Sequence, residues 1–101
     1  MMTTRTPPVR LVINETTRPK LPRHIKLRHD AGRNAWVILA PERVFKPDET
    51  AVEVLKLCDG NRTVGDLATH LAEAFAAPRD VILADITAML QDLADKGVVT
   101  Q

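Results

Sequence analysis

Three histidines, one cysteine and thirteen carboxylates are the groups of this 101-residue chain that could hold a metal or move a proton. His24, His29 and His70 fall on different predicted elements, and no Cys or Glu stands at a spacing that would complete a metal set around any two of them. His24 and His29 are an odd number of residues apart along a strand, which points them to opposite faces and prevents joint chelation. Solvated histidines beside a sheet are the expectation. Cys58, the single cysteine, excludes an internal disulfide and lies on the apolar face of a helix that it ends. It reads as a buried structural thiol, since no neighbouring charge is placed to lower its pKa. The chain has no phosphate loop, no dinucleotide fingerprint and no nucleophile–base order of the serine hydrolase kind. No catalytic residue, cofactor or metal is expected.

What remains is the chemistry of unpaired backbone groups and apolar surface, and the elements that would present them are legible. Ile25 and Leu27 alternate with His24, Lys26 and Arg28; a turn over Asp30-Ala31-Gly32-Arg33 follows, and then Ala35-Trp36-Val37-Ile38-Leu39, which together read as a β-hairpin. Pro41 interrupts the apolar run, and Arg43-Val44-Phe45-Lys46 resumes it as a short third strand. A proline beside that strand suits the edge of a sheet, where a missing donor is tolerated.

The period then changes from two to 3.6. Asp48 is placed to cap a first helix whose Ala51, Val54, Leu55 and Cys58 share a face. Cys58-Asp59-Gly60-Asn61-Arg62-Thr63-Val64 carries the stop signal of that helix and the start signal of the next: Gly60 for a left-handed close, Thr63 with Asp66 as a near capping box. The second helix, about residues 64–76, is expected to bury Val64, Leu67, Ala68, Leu71 and Phe75. Pro78 opens a third helix that runs to Lys96 and closes on Gly97, with Ile82, Leu83, Ile86, Met89, Leu90 and Leu93 as its core stripe. Strands first and helices after make a small α+β fold, with a three-stranded antiparallel sheet and a winged helix-turn-helix outline. The chain makes one domain. Residues 1–22, with four of the seven prolines, read as a flexible tail or linker, and the folded domain as residues 23–101.

Charge separates the candidate partners. Fourteen basic and thirteen acidic side chains nearly cancel, but residues 1–46 carry +7 and residues 47–101 carry −6. A DNA-binding regulator is the alternative that the fold raises. Its reading helix would be the third, which sets Asp80, Asp85, Asp92 and Asp95 against Arg79 and Lys96, the wrong sign for a polyanion. With no tyrosine and only Trp36, Phe45 and Phe75 as aromatics, base stacking is excluded as well. No stretch approaches the ~20 apolar residues of a membrane span, and no secretory signal opens the chain, so no membrane partner and a reducing cytoplasm are expected. The site the residues favour is a groove for an added peptide strand. Val44 and Phe45 form its edge, Asp85, Ile86 and Met89 form its wall, and the strand cations Arg43 and Lys46 favour an acidic peptide.

The order Val37-Ile38-Leu39-Ala40-Pro41-Glu42, then Thr50-Ala51-Val52-Glu53-Val54-Leu55, then Cys58-Asp59-Gly60 with Thr63-Val64, resembles the PqqD family of pyrroloquinoline quinone (PQQ) biosynthesis over about residues 18–99. The resemblance implies a non-catalytic peptide chaperone. It would bind the ribosomal precursor peptide PqqA and present it to the radical S-adenosylmethionine enzyme PqqE, which cross-links a glutamate and a tyrosine of the peptide. It also implies a leader peptide lying antiparallel along the third strand against the third helix, on residues 43–46 and Ile82, Asp85, Ile86 and Met89. Some members are fused behind the oxygenase PqqC, and residues 1–22 have the composition of such a linker, so a PqqC-type neighbour and a chain excised from a fusion are further expectations.

Overall fold

The computed structural model describes residues 11–101. Strands β1 (Lys26–Asp30), β2 (Ala35–Ala40) and β3 (Arg43–Phe45) form one antiparallel sheet in chain order, and helices α1 (Glu49–Lys56), α2 (Val64–Phe75) and α3 (Arg79–Asp95) follow. The fold is the expected one, and the winged helix-turn-helix likeness is a loose analogy of outline.

Register follows from the alternation of side chains. Leu27 lies opposite Ile38, and Ile38 opposite Phe45, so one apolar row crosses all three strands. That row packs with Val54, Leu55, Val64, Leu67, Leu71, Ile86 and Leu90 in a single core. The β2–β3 connection is only Pro41-Glu42, because Ala40 already pairs with Arg43. Glu42 takes a left-handed φ of 62° to close it.

The helix signals act as their residue types dictate. Asp48 accepts the Ala51 N–H at 2.7 Å and caps α1. Gly60 takes a φ of 82° at the joint. Thr63 and Asp66 complete a reciprocal capping box at 3.0 Å in both directions. Pro78 stands just outside α3 rather than within its first turn, and Lys96 is the residue after its end.

Two expectations differ from the structure. Phe75 keeps 52% of its surface exposed, although Leu71, one turn earlier on the same helix, is buried. The second difference concerns residues 1–22. Those before Leu11 lie outside the described residues. From Leu11 onward the segment is not a free tail, for Ile13, Thr17 and Pro19 are buried. The Gln91 side-chain amide accepts from the Ile13 N–H at 2.8 Å and donates to the Leu11 carbonyl at 2.9 Å, imitating a backbone pairing. The carbonyls of Thr17 and Glu15 accept the Val64 and Gly65 N–H groups at 2.8 and 2.9 Å, meeting two donors that the first turn of α2 leaves without a helical partner. Lys20 exchanges both backbone bonds with Thr100 at 2.8 Å. At Gly65 an added Cβ would come within 2.8 Å of Glu15 Cγ, so that side chain would have to shift to admit one. Val98 and Val99 are both buried beside this bridge.

Candidate functional site

Among the described residues β3 is an edge strand, bonded to β2 on one side and to no strand on the other. It is three residues long because Pro41 and Pro47 bracket it. Its course beside α3 is fixed at two points. At its start Arg43 Nη2 donates to the Lys96 carbonyl at 3.1 Å, where the exposed carbonyls at the C-terminal end of α3 favour a cation. Beyond its end, Asp48 reaches a cleft of about 430 Å³ whose α3 wall is Ile82, Asp85, Ile86 and Met89. The strand and its continuation therefore run antiparallel to the helix.

The four α3 residues expected at the site share one cleft, as spacings of three and four on a helix require. Ile86 is buried at its base, Ile82 and Met89 are half-buried, and Asp85 stands exposed on the rim. The strand residues divide. Arg43 and Phe45 lie on the face packed toward the helices, with the guanidinium 4.8 Å from the centre of the Phe45 ring. Val44 sits opposite Leu39, turned to the other face of the sheet and 59% exposed. Lys46 is exposed just past the strand. None of the four strand residues lines the cleft, which Asp48 reaches from the strand side, and Val44 and Phe45 point to opposite faces of the sheet.

The opposite wall of the cleft was not among the expected site residues. It is Thr50 of α1 with Leu71 and Phe75 of α2. Phe75 carried the one usable signal, an aromatic at the open end of an amphipathic helix. The rest is set by how α1 and α2 meet in space, which no local pattern encodes.

The remaining reactive groups are placed away from this cleft. Cys58 is buried and donates to the Val54 carbonyl at 3.2 Å; burial first, and then the charge of Asp59, push its thiol up to about 12. Asp66 is held below the usual carboxylate range, because the Thr63 backbone N–H and hydroxyl both favour its ionised form. His29 packs edge-on against Trp36 with ring centres 5.4 Å apart, and His24 is exposed outside the strand.

A family model described as "Coenzyme PQQ synthesis protein D (PqqD)" matches residues 35–99. The chain is 60% identical over 94 residues to the PqqA binding protein of Bradyrhizobium diazoefficiens, covering 93% of this chain and 91% of that one. It is 49% identical over 81 residues to the bifunctional coenzyme PQQ synthesis protein C/D of Methylorubrum extorquens, a match of 80% of this chain and 22% of that protein. Among solved structures it is similar to the PqqD truncation of Methylobacterium extorquens PqqCD, described as a functional and stand-alone recognition element for ribosomally synthesised, modified peptides. That likeness has a TM-score of 0.77 at 45% identity and covers 88% of this chain and 95% of that one. The crystal structure of PqqD from Xanthomonas campestris gives a TM-score of 0.53 at 34% identity over 83% of this chain and 93% of that one. With the matched model spanning well over half its length, the chain belongs to the PqqD family.

Proposed function

We propose that this protein is a non-catalytic peptide chaperone of PQQ biosynthesis. It binds the precursor peptide PqqA by adding it as a fourth strand at β3 and presents it in the cytoplasm to the radical S-adenosylmethionine enzyme PqqE. The observation that carries the reading is a free strand edge running antiparallel to α3 beside an apolar cleft, in a chain 60% identical to a PqqA binding protein. Strand addition draws its affinity from backbone bonds, and its selectivity from the cleft that receives alternate side chains. The peptide-binding residues are Arg43, Val44, Phe45 and Lys46 on the edge, with Ile82, Asp85, Ile86 and Met89 on the helix. Arg43 and Lys46 bias the site toward an acidic segment. The acidic surface of α3 disfavours nucleic acid at the same face, with Asp80, Asp85 and Asp92 exposed along it.

The test is a titration of isotope-labelled protein with synthetic PqqA, followed by backbone amide shifts. Saturable changes at residues 42–46 and along 79–93 support the reading. Spectra unchanged at millimolar peptide would overturn it.

A further inference from the structure

The cleft does not end at Phe75. On the other side of that ring opens a larger trench of about 780 Å³, and the two cavities share Thr50, Leu71 and Phe75 as a common wall. The trench lies at the hairpin end of the sheet. Its floor is Trp36 with Val52 and Leu57, and its far side is Ala74. Phe75, an exposed aromatic, stands between the two hollows, and the trench is of mixed character, with Glu49, Glu53 and His70 lining it beside the apolar side chains. Trp36 is half-buried, with Lys56 Nζ 4.7 Å above its ring. That lysine is also 3.4 Å from Glu53, so its charge is partly answered within α1.

The route from the β3 edge to the trench is short. Pro47, two residues beyond Phe45, lines the trench, and Asp48 lines the cleft. A chain leaving the C-terminal end of β3 therefore arrives where the two hollows meet. We infer that the peptide held on β3 continues past Phe75 and seats an apolar or aromatic side chain in the Trp36 trench, a second subsite beyond the strand-paired segment. The inference rests on the strand-addition reading. With the peptide antiparallel to β3, the segment concerned is the one N-terminal to the paired residues. A trench of this size accepts a large side chain, and contact between two aromatic walls rewards an apolar occupant.

Trp36 is the only tryptophan of the chain, so its emission reports on the trench directly. The full-length protein is titrated with tryptophan-free synthetic PqqA and with the same peptide shortened from its N-terminus, while amide shifts at β3 and α3 are followed in parallel. The expected result is a saturable change in Trp36 emission with the full peptide that is lost with the shortened one, and affinity weaker by roughly tenfold. Phe75→Ala, at an exposed position, should reproduce that loss. Ala74→Gln, which fills the trench from a site that does not line the cleft, should abolish the emission change while the β3 and α3 shifts persist. Saturable shifts at β3 and α3 with Trp36 emission unmoved would overturn the subsite and leave strand addition standing. No shift anywhere would remove both.

Discussion

The sheet has two free edges, and they are built to opposite ends. β1 is the longer, at five residues, yet of its side chains only Leu27 is apolar; Lys26, Arg28 and His29 stand exposed along it. Like charges at alternate positions make an incoming strand costly, a common guard on open edges. β3 has three residues, two prolines at its borders and no charge pattern of that kind, and α3 lies beside it. Backbone groups are available at both. β3, with α3 nearby, suits the proposed strand addition, whereas the exposed side chains of β1 are charged or polar and guard it.

The comparison can be broken most severely at Phe45, the β3 residue that belongs both to the core face and to the proposed site. Phe45→Ala should cost about 2–3 kcal/mol of stability in urea unfolding, below a fully buried phenylalanine because the ring is half-exposed. It should also weaken peptide binding more than tenfold under conditions where the variant stays folded. Binding unchanged in that variant would detach the edge from the cleft. Next in size, a guard charge transferred to the working edge by Val44→Lys should lower peptide affinity several-fold with stability within ~0.5 kcal/mol, since the position is exposed. Arg28→Val on β1 should leave affinity for the β3 site unchanged, and increased self-association at high concentration would show what the charge guards against. Smaller still, Arg43→Glu with Lys46→Glu should weaken an acidic peptide a few-fold, and the loss should shrink as salt rises. Equal affinity at low salt would remove charge from the recognition.

Cys58 supplies the control for all of these. Its thiol should resist labelling in the folded protein at pH 8 and react once the chain unfolds. The same burial fixes a pH dependence. The folded state favours the protonated thiol, so its contribution is complete below the ordinary value of 9.0 and declines as pH rises toward about 12. Unfolding midpoints measured across that alkaline range should fall, and less so in Cys58→Ala.

Much of the molecule was legible because its signals are local. The capping box at Thr63 and Asp66, the Gly60 close, the Asp48 cap and the hairpin alternation each depend on residues within a few positions, and each forms as its chemistry requires. Spacings of three and four likewise brought Ile82, Asp85, Ile86 and Met89 to one cleft. The strap from Leu11 onward was not legible, since its bonds reach Gln91 across 78 and 80 positions and its Pro and Thr content is that of a linker. Phe75 follows the apolar period of α2, but the period says nothing of where the neighbouring layer ends. Strict alternation places Val44 and Phe45 on opposite faces of the sheet, so a single groove does not receive both side chains.

The bonds that the strap makes with Val64, Gly65 and Thr100 also bear on modularity. The unit that folds cannot be cut at Arg23 without leaving the first turn of α2 open and uncovering the apolar ground beneath Ile13. Lys20 and Thr100 are stitched side by side as well, so the strap and the residues after α3 hold each other in place.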